Sequence, residues 1–187
     1  MLVAGFPEKA VKFSHSRKLV PIIRLELWNW SEGRKPGGLK SIVDGVYDDF
    51  FESWAQKSGN FGKPIILRFG FEMIGNWFSW GQKPKIFKAA WRRVYAIFEK
   101  NNARNVKWMF APNAIFGTDA KVVNIAQYYP GSDVVDLIGI DGYNFGINHD
   151  QWHQWQTFSE IFEESILGLT QLSKYPRPQD VALVCPL

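Results

Sequence analysis

The sequence predicts an α/β fold built on a parallel sheet, and three observations support this prediction. Strand-like apolar runs alternate with helix-like periodic segments in the order β-α-β-α-β-α-β-α-β, which is typical of parallel strands joined by right-handed crossovers. The 187 residues are 46% hydrophobic and 21% charged, as in a globular domain. No linker-like stretch or internal repeat divides the chain. We therefore treat residues 1–187 as one domain.

The first half of the chain contains two predicted strands with a helix between them. Pro21–Trp28 (PIIRLELW) and Ile65–Phe69 have the apolar content of buried strands. Between them, apolar residues recur every four positions, at Ile42, Val46, Phe50 and Trp54. That spacing is typical of a helix with one face on a core. Gly59 predicts the end of this helix.

The second half repeats the same alternation. A helical stripe runs through Phe87, Trp91, Val94 and Phe98. Further strands are predicted at Val106–Phe110, Val134–Ile140 and Val181–Val184, and a short helix at Lys121–Gln127. Thr157 and Glu160 have the spacing of a capping box, which predicts that a helix begins there and continues through Leu169.

Aromatic residues are concentrated in the loops that follow strands. Aromatic content is 16%, with nine Trp, and Trp suits surfaces that stack on flat or ring-shaped ligands. The post-strand aromatics are Trp28, Trp30, Trp77, Phe78, Trp80, Phe116, Tyr143, Phe145, Trp152 and Trp155. Loops that precede strands hold only Phe61 and Tyr175. Post-strand loops of a parallel sheet gather on one face, which is where such folds bind ligands.

Glu72 is an isolated acid where a predicted strand gives way to an aromatic loop, in FGFEMIGNWFSWG. Desolvation favours the protonated form of a carboxyl group, and a protonated acid can transfer its proton to a leaving oxygen. Since Trp rings stack on sugars, the combination indicates a glycosidase site. The structural alternative is that Glu72 pairs with Arg68 or with a loop amide.

The stretch KPIILRFGFEMIGNWFSWG resembles the acid/base motif of glycoside hydrolase family 26, the β-mannanase family. The matching positions are Arg68, Glu72, Met73, Gly75, Trp77, Trp80 and Gly81. AAWRRVYAIF, ARNVKWMFAPN and YYPGSDVVDLIGIDGYNFG resemble the next three blocks of the family in order, and WQTFSEIF resembles a later helix. The resemblance extends from about Pro21 to Leu172.

This resemblance implies a (β/α)8 TIM barrel, of which about five of eight strands are present, and a retaining glycosidase without a metal or other cofactor. It implies that Glu72 is the general acid/base and that Trp77 is the platform beside the cleaved bond. The substrate-binding positions that it implies are Arg68, Phe71, Trp77, Trp80, Asn113, Asp141 and Tyr143. The expected substrate is a β-1,4-linked plant polysaccharide, with β-mannan first, and the full-length parent is expected to be secreted.

Two departures from the family pattern affect these expectations. Phe71 and Ile74 stand where the mannanases have His and Asn, so β-glucan or xylan remains an alternative to mannan. Retaining catalysis needs a second carboxylate about 5–5.5 Å away as nucleophile. The family carries it in a Glu-Phe-Gly pattern after strand seven, and here the sequence reads QDVALVCPL. We therefore expect that this chain is the central part of a family 26 domain and that it is inactive on its own. Glu26 is the alternative second carboxylate, or else a polar partner of Arg24 or Arg68.

Other classes of protein remain as alternatives. A carbohydrate-binding module would keep the aromatic cleft without cleaving. A nucleic-acid binder would suit the net charge of +4, but no basic cluster accompanies the aromatics. His149 and His153 have the i, i+4 spacing of zinc ligands, without a third ligand. No stretch is long and apolar enough for a membrane span, and the first residues lack the features of a signal peptide.

Overall fold

A computed structural model describes residues 5–29, 35–36, 38–115, 124–147, 154–170 and 181–184, with only the backbone at 28–29, 35–36 and 181–184. Five parallel strands form the main sheet, in the order β1 (Ile22–Leu25), β4 (Ile65–Phe69), β5 (Val106–Phe110), β6 (Leu137–Asp141) and β7 (Val181–Val184). A small antiparallel pair, β2 (Trp28–Asn29) and β3 (Lys35–Pro36), was not predicted. The predicted adjacent, parallel, sequence-ordered strands are confirmed.

The helices lie between the strands, as the alternation predicts. They are α1 (Glu8–Ser16), α2 (Leu39–Val43), α3 (Asp48–Phe61), α4 (Pro84–Lys100) and α5 (Phe158–Thr170), with a 3-10 turn at Ile125–Gln127. Among the residues that the structure describes, no helix is long and apolar enough to cross a membrane. The predicted short helix at Lys121–Gln127 is reduced to the 3-10 turn, and residues 121–123 lie outside the described residues.

The predicted helix through Ile42 and Trp54 is two helices, and its predicted end at Gly59 is wrong. Gly45, at φ +85°, separates α2 from α3. The helix α3 continues past Gly59 and ends at Gly62, at φ +69°, a left-handed conformation that glycine adopts easily. A Cβ at Gly59 would lie at an ordinary contact distance, 3.6 Å, from the Cα of Ala103, so this position does not require glycine.

The register of the sheet places its alternate residues on two faces. Trp108 packs against Trp91 and Phe98 of α4, with ring centroids 5.5 and 5.2 Å apart. Its register partner Leu67 therefore lies on the helix-covered face, and so does Ile23. Because side chains alternate along a strand, the neighbouring positions of β1, β4 and β6 lie on the opposite face, which we call the inner face. It carries Arg24, Arg68 and Asp141, among others.

The two faces differ in how well they are covered. The helix-covered face is aromatic and buried, with Phe69, Trp91, Phe98 and Phe110 each 2% exposed or less. On the inner face Ile22 is 45% exposed, and Arg24 is exposed. The sheet thus has one packed side and one side that is open near β1 in the part of the chain that the structure describes.

Candidate active site

Glu72 lies three residues beyond the end of β4, on the rim where the parallel strands end. Its backbone has φ +54°, which is unusual for a residue with a side chain. Its N–H donates to the carbonyl of Ala111, after β5, over 2.8 Å, so the neighbouring loop holds this conformation in place. Strained backbone of this kind is found most often at functional sites. The side chain is half-buried.

The carboxylate of Glu72 accepts a hydrogen bond from the indole of Trp77, with 2.6 Å between Nε1 and Oε2. Trp77 is 54% exposed, so its ring remains accessible while its nitrogen is engaged. The ring lies over Gly75, where an added Cβ would come within 2.4 Å of it. A glycine at position 75 therefore lets the indole reach the carboxylate.

Asn113 connects the loops that follow three successive strands. Its side-chain Oδ1 accepts from the N–H of Gly75 over 3.0 Å, and its backbone forms an isolated parallel bridge with Asp141 at the end of β6. The N–H of Ala114 also donates to the carbonyl of Asp141, over 2.6 Å. These contacts fix the acid-bearing loop after β4 against the ends of β5 and β6.

Arg68 and Asp141 form a buried ion pair on the inner face, through Nη2 and Oδ2. The two residues are only 4% and 2% exposed. Burial raises the pKa of Asp141 to about 6, and the charge of Arg68 only partly counteracts this; the nearby Glu72 raises the pKa further. Burial likewise lowers the pKa of Arg68. Arg68 Nε and Asp141 Oδ1 have no hydrogen-bond partner among the described residues.

Phe71 and Trp80 are located where a sugar cannot reach their rings. They are 2% and 1% exposed. The indole of Trp80 donates to the carbonyl of Phe71 over 2.7 Å, and its ring stacks on Phe78 at 4.3 Å. The guanidinium of Arg68 lies 4.9 Å from the centroid of Phe71. In this structure the two rings support the residues that line the rim, and their substrate-binding role stays a prediction.

Tyr143 lies two residues beyond Asp141, and its side chain is 36% exposed. Partial burial raises the pKa of its phenol, and the negative charges of Glu72 and Asp141 raise it further. The ring stacks on Phe145 with 5.5 Å between centroids and 21° between planes. Tyr143 thus shares the electrostatic environment of Glu72, as a residue of the same site would.

Glu26 does not have the partner that the sequence suggested. It is half-buried just after β1, but it forms no hydrogen bond or ion pair with Arg24, Arg68 or other described residues, and Arg68 pairs with Asp141 instead. Ile74 is buried, 4% exposed. No group of three or more His, Cys, Asp or Glu side chains is close enough to hold a metal in the described ranges. His149, His153 and Cys185 lie outside them.

Sequence reasoning gave little weight to Arg24, which was considered only as a partner for Glu26. Arg24 is the register partner of Arg68 across β1 and β4. Its guanidinium lies 5.5 Å from the centroid of Phe71, on which Arg68 also packs. The sequence alone carries no signal for this pairing, because the register of β1 against β4 is known only from the sheet.

The comparison that decides the family is a match to the model of glycosyl hydrolase family 26 over residues 35–173, most of the chain. The chain belongs to glycosyl hydrolase family 26. The resemblance stated from the motif around Glu72 is therefore confirmed, and family membership makes the chain a glycosidase-type sequence whose expected substrate class is a polysaccharide.

Two relatives are similar to parts of this chain. Endoglucanase H of Acetivibrio thermocellus is 33% identical over 140 residues, which cover 71% of this chain and 15% of that protein. Mannan endo-1,4-beta-mannosidase A and B of Caldalkalibacillus mannanilyticus is 28% identical over 124 residues, which cover 61% of this chain and 21% of that protein. The chain thus spans about a fifth or less of the length of either relative.

The fold agrees with that of a solved family 26 structure. GH26A from Muricauda sp. MAR_2010_75 superposes with a TM-score of 0.66 at 17% identity, over 95% of this chain and 69% of that one. At this identity the likeness concerns the fold. It confirms the predicted class: an α/β fold that is part of a (β/α)8 TIM barrel.

Proposed function

We propose that residues 1–187 are part of the catalytic domain of a family 26 glycosidase that cleaves β-1,4-linked plant polysaccharide with retention, with Glu72 as general acid/base. The observation that carries the proposal is the position of Glu72, since a strained backbone presents its carboxylate on the rim and an exposed Trp holds it. A proton donor beside an aromatic platform suits protonation of a glycosidic oxygen.

The second carboxylate of the retaining mechanism is proposed to come from outside the described residues. Asp141 is unsuitable as a nucleophile because Arg68 and burial sequester it. In this proposal Tyr143 and Asn113 contact the substrate or the second carboxylate. The buried ion pair of Arg68 with Asp141 holds these two residues in position. The edge of β1 that pairs with no described strand would pair with the remaining strands of the barrel.

β-Mannan is the first substrate that we propose. The family is principally a mannanase family, and the alignment with the mannosidase relative covers 61% of this chain. β-Glucan is the second, and two observations favour it. Endoglucanase H is more identical over a longer stretch, and Phe71 is buried where the mannanase motif has a polar His. Since such polymers do not cross membranes, we propose that the whole protein acts outside the cell.

The acid/base role is tested by Glu72→Gln in the protein expressed from the complete reading frame. We expect hydrolysis of mannan or lichenan to fall about 10²–10⁴-fold. An aryl glycoside with a strongly acidic phenol as leaving group needs no proton to form the glycosyl-enzyme, so its kcat/KM should fall far less, although its kcat also falls because Glu72 is the base of the second step. The losses are therefore compared as kcat/KM. The matched control is Glu99→Gln, an exposed carboxylate on α4. Equal losses on both substrates would contradict the proposal.

A further inference from the structure

Arg24 and Arg68 occupy equivalent positions on neighbouring strands but differ in their surroundings. Their register pairs them across β1 and β4. Both guanidinium groups lie over the ring of Phe71, at 5.5 and 4.9 Å from its centroid. Phe71 is 2% exposed, so it provides a fixed base for both. A cation over an aromatic face is attracted electrostatically by the ring, which favours one orientation of the head group.

The two arginines differ in what else they bind. Arg68 is buried and paired with Asp141. Arg24 is exposed, and it forms no hydrogen bond or ion pair with any residue that the structure describes. The N–H donors of a guanidinium are fixed in one plane, so Arg24 presents an oriented set of free donors on the inner face.

These donors lie within electrostatic reach of the candidate active site. Burial is the main cause of the raised pKa values of Asp141 and Tyr143, and Glu72 raises both further; the positive charge of Arg24 counteracts these effects at both groups. Arg24 also contributes to the lowered pKa of Arg68, after burial. Phe71 thus fixes the guanidinium end of Arg24. The charges of Arg24 and Glu72 both affect the pKa values of Asp141 and Tyr143, in opposite directions.

We infer that Arg24 is a substrate-binding residue whose guanidinium donates hydrogen bonds to hydroxyl groups of a neutral sugar ring next to Glu72. The assignment rests on the proposed function, because it needs a carbohydrate on this rim. Arg24 would supply a polar contact to the sugar on the part of the rim where Phe71, which is apolar and buried, supplies no polar contact. Arg24 would then help to select among the β-linked glycans that the chain accepts.

The surroundings of Arg24 give no preference to an acidic sugar. Two carboxyl groups lie near it on this rim, Asp141 in its ion pair with Arg68 and Glu72 beside Trp77. A planar guanidinium with parallel N–H groups can instead bind two adjacent hydroxyls, and holding it on Phe71 lowers the entropy lost on binding.

The test is calorimetric titration of the 187-residue chain with mannohexaose, cellohexaose and xylohexaose. For the hexaose that binds, Arg24→Met should lower the association constant about tenfold or more, because hydrogen bonds to a charged group are among the stronger ones. Arg24→Lys keeps the charge but loses the planar donor geometry, so it should recover only part of the affinity.

The chain offers a matched control in Arg17. Its guanidinium lies 5.4 Å from the centroid of Phe13, the same arrangement on an exposed surface just after α1. Arg17→Met should leave the association constant unchanged. Thermal melts of all variants report folding, and Arg24→Gln replaces Arg24→Met if the latter unfolds.

Three results would overturn the inference. The first is an Arg24 variant that is folded and binds the hexaose as tightly as the unmodified chain. The second is no binding of any hexaose by the unmodified chain. The third is tighter binding of hexagalacturonate that Arg24→Met or high salt abolishes, which would make the ligand acidic. Each is independent of the hydrolysis measured with Glu72→Gln in the full-length protein, so failure here leaves the acid/base proposal standing.

Discussion

The ion pair of Arg68 with Asp141 places two charges where each residue is at least 96% buried. Its relative exposures are 4% and 2%. Removing two charges from water costs more than one contact between them regains, unless further hydrogen bonds help. Arg68 Nε and Asp141 Oδ1 lack such partners among the described atoms. The raised pKa of Asp141 and the lowered pKa of Arg68 have burial as their common cause.

This pair predicts a pH dependence of stability. The pKa of Asp141 rises from 3.8 to about 6 on folding, so the folded chain binds its proton more tightly than the unfolded chain does. The contribution of Asp141 to the free energy of unfolding therefore decreases as pH rises from about 4 to about 6, and then stays constant. Two pKa units correspond to up to about 3 kcal/mol.

The measurement is urea unfolding of the chain and of Asp141→Asn between pH 4 and pH 7. The stability of the original chain relative to the variant should fall over this interval. Asp133→Asn is the control, because the hydrogen bond with Arg92 lowers the pKa of Asp133 from 3.8. The stability that Asp133 adds is lost only at lower pH, so it should change little between pH 4 and pH 7. A difference for Asp141→Asn that grows with pH would contradict the prediction.

Single residues also show how far the sequence could predict the site. Glu72 and Arg68 were identifiable from their place at the end of an apolar run and from the family motif. The burial of Phe71 and Trp80 was not, because a Trp in a post-strand loop has the same sequence signal whether its ring faces solvent or packs on Phe78. Arg24 needed the strand register, which only the sheet provides.

At the level of elements, the sequence predicted types better than boundaries. Ile65–Phe69 and Val106–Phe110 agree with β4 and β5, because both are short apolar runs buried in the middle of the sheet. The first predicted strand is shortened to Ile22–Leu25. The helix α1 was missed, since only Val11 within it is buried and its apolar pattern is weak. The end of α3 was predicted at the wrong glycine, because the sequence does not show that Gly62, and not Gly59, has the left-handed backbone conformation.

The start of α5 was predicted from the Thr157 and Glu160 spacing, and the reciprocal capping bonds are present. The N–H of Thr157 donates to Glu160 Oε2 over 2.7 Å, and the N–H of Glu160 donates to Thr157 Oγ1 over 3.3 Å. We expect Thr157→Ala to lower the free energy of unfolding by about 1 kcal/mol, because it leaves a helix N-terminal N–H without its cap. Urea unfolding at neutral pH measures this change.

The control for the cap is Ser159→Ala, two residues further along the same helix. Ser159 is exposed and its side chain forms no hydrogen bond within the described segments. Both variants remove one hydroxyl near the start of α5, but only Thr157 uses its hydroxyl to accept a backbone N–H of the helix. An effect of Ser159→Ala as large as that of Thr157→Ala would show that capping is not the cause.

For the whole molecule, alternation was enough to predict five parallel strands in sequence order, because short crossovers of one hand leave few other topologies. The sequence could not show how well the inner face is covered. There, Ile22 is 45% exposed and β1 pairs only with β4 among the described strands. An open strand edge and an exposed apolar face favour association between copies, so concentration must be controlled in every unfolding experiment above.

The same open face leads to the prediction that this chain alone hydrolyses no polysaccharide at a meaningful rate. In the proposed mechanism Glu72 supplies only proton transfer, which contributes about 10²–10⁴-fold, far less than the acceleration that typical enzymes achieve. Without a second carboxylate no glycosyl-enzyme forms, and the oxocarbenium-like transition state lacks its counter-charge. Asp141 cannot supply that charge while Arg68 holds it.

The assay incubates the purified chain with mannan, lichenan and xylan and measures new reducing ends, beside Glu72→Gln and Glu26→Gln. All three proteins should remain at the level of the buffer. Half-buried Glu26 directly follows β1, so we take it as the candidate to replace the missing carboxylate. Turnover by the unmodified chain that both substitutions abolish would therefore contradict the prediction and identify Glu26 as the nucleophile. Turnover that survives both would point to a contaminating enzyme, because no retaining mechanism at this rim can proceed without Glu72.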